Sequence, residues 1–410
     1  MIPVAPTRTA TAGWVIYDLA NTIFALGVVG LYLPNWMTDN GVSDSWLGYT
    51  QSLAALVVAL SSAWIGARSD HSHRRMPILV FTTTVAVAAT LTLTLGPVWT
   101  TFLALGIALV CFHAGSVVYD ALLPTVSTEE NRSLVSGTGV GVGYIGSIIG
   151  VGIGWLAMNP LKLGYHGTFV LLGLAVLLFA IPTFLWVRDP IVPPRPEKAP
   201  GLSSVLSGLV KAWKDSRLYP GVTRFLLGRF LYTDAINTLI GGFLTIYAIE
   251  EIGLDTKGSQ GLIASAIGWA ILGGFSGGRL GHHIGAIRTL RVALVFWMLA
   301  IGLALASSGF QRPGLVPIVA LLGGWALGAT WATDRVVMTR ISPPERLGEF
   351  YGLYATVGRF AQIIGPAVWA ITVDQLQLGR DVAVALLGAL VVGGWFVIRK
   401  ADDSPNQVCS

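Results

Sequence analysis

The sequence predicts an all-α polytopic membrane protein: twelve transmembrane helices in two six-helix pseudo-symmetric halves. Three observations carry that reading. Charge is scarce, apolar stretches recur along the whole chain, and one long polar segment divides them six and six. Of 410 residues, 53% are hydrophobic and 11% charged, with a mean hydropathy of +0.69. A soluble chain usually carries about 25% charged residues, so a soluble globular enzyme is set aside. Disorder needs low hydrophobicity and high charge. Two cysteines, Cys111 and Cys409, exclude a disulfide framework and a Cys-rich zinc site.

A bilayer core needs about 20 apolar residues per helix. Stretches of that kind lie at 12–36, 46–67, 77–96, 98–122, 134–158 and 167–187, then at 222–249, 259–281, 289–308, 314–338, 347–374 and 381–399. We number them spans 1 to 12. Lipid cannot satisfy open backbone, so such runs are helices. The first run is too long for a cleavable signal. With both termini inside, the inner segments hold 20 of the 26 basic residues, and the outer loops hold only Lys162, Lys257, Arg312 and Arg380. That bias is the orientation signal of a membrane protein. It gives no reason to infer nucleic acid as a partner, and it places both termini in the cytoplasm.

The dividing segment, Arg188–Gly221, opens with five prolines, Pro190 to Pro200. Its second part carries Leu202, Val205, Leu206, Leu209, Val210 and Trp213 at helical spacing, with Lys211, Lys214 and Arg217 beside them. A linker and an amphipathic helix on the inner surface are expected. The domains are therefore 1–187, the linker 188–221, and 222–410. The two six-span halves also resemble each other at a nearly constant offset. Tyr17-Asp18 and Asn21-Thr22 match Tyr232 to Thr238, and Gly66 to Arg68 match Gly277 to Arg279. Asp120 matches Asp334, and Ser127/Glu130 match Ser342/Glu345 as capping boxes. A parallel six-plus-six repeat is a transporter plan.

The loop Gly66-Ala-Arg-Ser-Asp70-His-Ser-His-Arg74-Arg75 resembles the signature loop of the major facilitator superfamily, with Arg68, His71 and His73 departing from it. Trp14 to Thr22, Tyr119-Asp-Ala-Leu-Leu-Pro124 and Gly348 to Tyr354 resemble the superfamily's vacuolar amino-acid effluxer-like branch. The resemblance implies a transporter that rocks its halves around a central cavity.

Charges inside spans are costly and usually mark a pathway. Asp18 lies about 9 Å into span 1, and Asp234 about 18 Å into span 7, at 1.5 Å per residue. Tyr17, Asp18, Asn21, Arg229, Asp234, Asn237, Arg359 and Gln362 are the candidate substrate-binding residues. Arg359 or Arg229 is expected to hold a carboxylate, and Asp234 with Asn237 an amine. Asp18 and Asp234 are available as counter-ions of Arg229 and Arg359, and either could carry a proton. The competing reading makes these groups interhelical struts. Gly66, Asp70, Arg74, Arg75, Asp120, Asp334 and Arg335 are the candidate gating residues, the last three as inner-gate salt bridges.

The eight glycines between Gly137 and Gly154 follow no strand and precede no Gly-Lys-Ser/Thr, so close helix packing explains them better than a nucleotide loop. Span 5 lacks the Gly-Pro pair that marks drug/proton antiporters of the superfamily, and a Gly-Pro pair lies instead within span 11, at Gly365-Pro366. The histidines lack carboxylate or thiolate clusters at ligand spacing, so no metal and no cofactor is expected. Tryptophans at span ends, such as Trp36, Trp99 and Trp186, suit an aromatic belt. No nucleophile–base pair marks an intramembrane enzyme. The expectation is a monomeric secondary transporter of the plasma (inner) membrane. It would be symport, antiport or facilitated diffusion of a small organic solute, best an amino acid, with protons as the candidate coupling ion and the lipid bilayer as its surroundings. A drug or organic-cation exporter is the alternative, and a non-transporting membrane sensor stands behind it.

Overall fold

The computed structural model describes residues 7–72, 74–128, 132–189, 207, 213–214, 217, 219–342 and 347–399. Among the described residues, twelve helical spans follow one another in the order expected. Nine, among the described residues, are long and apolar enough to cross a membrane. Span 3 is a shorter apolar helix, Arg75–Leu91, of 17 residues. Span 2, Asp44–Ser72, and span 7, residues 220–250, complete the set. The amphipathic helix expected around 202–217 falls almost entirely outside the described residues. So do Glu130 and Glu345, on which the two capping boxes depended.

The chain forms two compact units. Unit 1 comprises Met1–Trp36 and Leu53–Val205, and unit 2 comprises Met37–Ser52 and Leu206–Ser410. The division runs through span 2, because Met37–Ser52 packs with the second half of the sequence. In unit 1, span 1 (Arg8–Asp39) packs on span 5 (Arg132–Met158) and span 6 (Gly164–Trp186), and span 3 on span 4 (Val98–Ala121). In unit 2, span 10 (Val316–Ile341) packs on span 8 (Thr256–Ile284) and span 9 (Ala286–Gly309), while span 7 packs on span 12 (Arg380–Ile398).

The glycines of span 5 explain the span 1 contact. A side chain at Gly139 would meet the Asp18 carboxylate at 2.8 Å and the Trp14 ring at 3.0 Å. At Gly146 it would collide with Thr22 and Leu19, and at Gly154 with the Tyr32 ring. Backbones therefore approach closely, and Thr22 Oγ1 donates to the Gly143 carbonyl at 2.5 Å. In a bilayer such approach supplies the packing energy that apolarity alone cannot.

Three spans depart from regular α-helix, which the sequence reading did not anticipate. Span 1 is π-helical over Ile23–Tyr32. Span 7 runs as a helix over Pro220–Thr238, kinks at Gly241 and Gly242, and resumes at Leu244–Glu250. Gly242 has φ of 116°, open to glycine at little cost. Span 11 runs Leu347–Phe360, breaks over 361–363, and resumes at Ile364–Ala370. Pro366 causes that break. It has no N–H for the carbonyl four residues back, at Gln362, and its ring would clash there. Broken helices of this kind survive in membranes only where other groups satisfy the backbone.

Candidate functional site

In unit 1 the first span presents Trp14, Tyr17, Asp18 and Asn21. Trp14 stacks on Tyr119 of span 4, with ring centroids 4.6 Å apart and planes 6° from parallel. Trp14 Nε1 donates to the Tyr119 carbonyl and Tyr119 OH donates to the Trp14 carbonyl, both at 3.0 Å. Tyr17 stacks on Tyr119 at 4.9 Å, and its hydroxyl bonds Thr83 Oγ1 at 2.5 Å. Asn21 Nδ2 donates to Asp18 Oδ1 at 3.4 Å, and both residues are half-buried. A mostly apolar pocket opens beside them, lined by Tyr17, Asn21, Phe24, Thr83, Cys111 and Phe112 among others. Unit 1 thus gathers three of the candidate residues, Tyr17, Asp18 and Asn21.

In unit 2 the candidates separate into two groups. Arg229 is 6% exposed and does not serve as a partner for either of the aspartates first considered. Its Nε donates to Asp334 Oδ2 at 2.9 Å, and Nη1 to the Tyr354 carbonyl at 3.2 Å. The guanidinium lies 3.8 Å from the Tyr354 ring centroid. Tyr354 OH donates to Asp334 Oδ2 at 2.5 Å, and Tyr232 OH to Asp334 Oδ1. Asp334, expected at an inner gate, is instead fully buried and accepts from three donors. A buried charge is tolerable only when paired and hydrogen-bonded, and this network meets both conditions. Gly358 leaves room for it, since a side chain there would meet Arg229 Nη1 at 2.5 Å.

The second group surrounds the break in span 11. Asp234 is 1% exposed, and its Oδ1 accepts the Gly365 N–H at 3.0 Å. It therefore caps the N-terminus of the Ile364–Ala370 helix, whose first N–H groups have no intrahelical acceptor. This contact matches the strut reading for one carboxylate oxygen. Asn237, one turn along span 7, is half-buried. Arg359 lies in the last turn of the first helical stretch of span 11, and Gln362 sits within the break; both are half-buried. A cation in the last turn of a helix is favoured by the dipole.

Among the gating candidates, Gly66 and Asp70 lie on span 2, and the side chains of Asp70 and Arg335 are outside the described residues. Arg74 is exposed, just ahead of span 3. The backbone N–H groups of Arg75 and Met76 donate to Asp189 at 2.9 and 3.1 Å, so the end of span 6 caps the start of span 3. Asp120 is exposed at the end of span 4.

Tyr119, Tyr232 and Tyr354 are site-forming groups that no charge marks in the sequence, although all three stand inside the segments quoted above. Asp44 and Arg380 are two more site-forming groups. Arg380 Nε and Nη2 donate to the two Asp44 oxygens at 2.9 and 3.2 Å. Hydropathy hides such pairs because each charge lies at the edge of an apolar run.

Twelve helices, a six-plus-six repeat and buried charges inside the spans define a membrane transporter of the major facilitator type. The chain belongs to the family described as "Vacuole effluxer Atg22 like", whose model matches residues 42–400. It is 27% identical over 404 residues to the uncharacterized MFS-type transporter YxiO of Bacillus subtilis, covering 93% of this chain and 92% of that one. It is 26% identical over 276 residues to autophagy-related protein 22 of Coccidioides immitis, covering 61% of this chain and 45% of that longer protein. Among solved structures, the nucleoside transporter NupG superposes with a TM-score of 0.72 at 11% identity, over 95% of this chain and 99% of that one. A D-xylose-proton symporter does so with a TM-score of 0.64 at 14% identity, over 97% and 98%. These likenesses establish the fold. The protein is an integral membrane transporter.

Proposed function

We propose that the protein moves a small carboxylate-bearing solute, best an amino acid, by alternating access of its two six-span halves. The observation that carries this reading is Arg359, a half-buried cation beside the helix break in span 11, with Gln362 one turn away. A guanidinium binds a carboxylate through two parallel N–H donors. Arg229 is less suited to that role, because it is buried with its Nε on Asp334 and its Nη1 on the Tyr354 carbonyl. Asn237 is the polar neighbour we assign to the same group.

Asp18 is the candidate proton carrier. It is half-buried, shares its helix face with Asn21, and lies beside the glycines of span 5. Proton coupling uses a carboxylate that can reach water in one state and be shielded in another. Asp234, capped onto backbone, is less suited to that exchange. The plasma membrane is the location we assign, with both termini cytoplasmic from the distribution of basic residues.

A second reading has its own support. Tyr17, Phe24 and Phe112 line the unit 1 pocket near Asp18, a setting that also suits an organic cation. Thermal-shift measurements on purified protein with amino acids, nucleosides, sugars and quaternary amines separate the two. Stabilisation by amino acids, lost in Arg359→Gln, supports the first. Stabilisation by quaternary amines alone, retained in Arg359→Gln and lost in Asp18→Asn, supports the second.

A further inference from the structure

Residues 37–52 belong by sequence to the first six spans, yet they pack within unit 2. What holds them there is polar. Asp44 is 2% exposed and accepts a two-pronged bond from Arg380, together with the indole N–H of Trp369 at 2.9 Å. Arg380 also faces Glu251 at 3.4 Å and Glu250 at 3.8 Å. Asp374 caps the start of span 2 from the far end of span 11, accepting from Ser43 Oγ and from the Ser45 N–H.

The next turn of span 2 grips backbone. Gln51 Nε2 donates at 2.5 Å to the carbonyl of Gly241, inside the kink of span 7. Ser52 Oγ donates at 2.8 Å to the carbonyl of Ile363, inside the break of span 11. Gly48 lets the helix close on this site, since a side chain there would strike the Pro366 carbonyl and Ala370. The break of span 11 is therefore held from two sides, by Ser52 at the Ile363 carbonyl and by Asp234 at the Gly365 N–H.

Two consecutive side chains on one helix reach the two irregular points of two other helices. Packing alone does not require that, because regular helix carbonyls along spans 7 and 11 already have partners. We propose that Asp44–Arg380 is a releasable latch and that Gln51 and Ser52 couple it to the kinks of spans 7 and 11. Release of residues 44–52 frees both kinks to change, and with them the placement of Arg359 and Gln362. The basic-residue bias puts this latch on the outer face. The role of Arg359 and Gln362 as the site rests on the function proposed above; the latch does not.

The test needs no substrate. In a background with Cys111→Ser and Cys409→Ser, a cysteine is placed at Gln362 and its labelling by a membrane-impermeant maleimide is timed from the outside of sealed cells. Asp44→Asn, Arg380→Gln and Ser52→Ala should each raise the rate, the first two by at least about tenfold, the factor that 1.4 kcal/mol commands. The conservative variant Asp44→Glu, which keeps a carboxylate for Arg380 and for the Trp369 indole, should stay nearer the background rate than Asp44→Asn, a difference that loss of folding would not produce. Unchanged labelling in all three single variants, each monodisperse after purification, overturns the latch. A rise with Asp44→Asn but none with Ser52→Ala overturns the coupling to the break. Amino-acid binding is measured separately, so its failure would remove the proposed substrate and leave these results standing.

Discussion

Arg229 and Asp334 form an ion pair of 2.9 Å in which neither side chain is more than 7% exposed. They are 105 positions apart, as are Trp14 and Tyr119 in the first half of the chain. The repeat thus places an aromatic stack in one half where the other carries a charged network. Tyr17 leans on the stack as Tyr232 bonds the ion pair. The two halves kept one backbone plan and solved the same helix-to-helix contact with different chemistry.

That network should dominate the stability of unit 2. Removing one partner of a buried ion pair typically costs about 3–5 kcal/mol, because the other charge is left buried alone. Asp334→Asn and Arg229→Leu are therefore expected to lower the denaturation midpoint in detergent sharply. The double variant Arg229→Met/Asp334→Leu should recover part of the loss, which a thermal-melt series on the purified variants measures.

Close glycine contacts give a graded series. Gly358→Ala should destabilise, because its side chain would enter the Arg229 guanidinium, and Gly146→Ala should do so through Thr22 and Leu19. Gly141→Ala and Gly152→Ala meet nothing within 4 Å and should melt like the parent. Equal midpoints across all four variants would show that these contacts do not bear load.

Asp234 should tolerate loss of charge better than loss of its acceptor. Asn keeps an oxygen for the Gly365 N–H, whereas Leu leaves that buried N–H unsatisfied at a cost of about 1–3 kcal/mol. Asp234→Asn is expected to fold and bind ligand as the parent does, and Asp234→Leu to lose stability. Thermal melts and ligand titrations of the two variants check this. Loss of binding in a stable Asp234→Asn would return Asp234 to the binding site.

Topology can be read directly. Cysteines at Asp39 and Asp255 are expected to react with impermeant reagents from outside, and cysteines within the Arg188–Gly221 segment only from the cytoplasmic side. Labelling of all three from one side contradicts the orientation drawn from the basic residues.

Much of the fold was legible because lipid imposes length and apolarity on every span, and the Pro-rich segment interrupts both. The span 5 glycines were readable for the same reason, as positions where helices touch. The site was harder. Arg229 and Asp334 are far apart in sequence, and an ion pair between them follows only once spans 7 and 10 are packed. Gly365-Pro366 was noticed as a pair, yet its physical consequence, a lost N–H and a broken span 11, was not drawn. Asp234 looked like a pathway charge because the backbone N–H that satisfies it appears only after that break exists.

The central claim is that Arg359 beside the span 11 break holds a substrate carboxylate. Uptake of radiolabelled amino acids into proteoliposomes carrying the wild-type protein or Arg359→Gln, with and without an imposed proton gradient, tests it most directly. Loss of a buried charged partner costs about 2–5 kcal/mol, roughly 30-fold or more in affinity at 1.4 kcal/mol per decade. The account predicts saturable uptake of at least one amino acid by the wild type and an apparent affinity at least about 30-fold weaker in Arg359→Gln. Uptake by Arg359→Gln with wild-type affinity, or no amino-acid uptake by a wild-type protein that transports a cation instead, would contradict it.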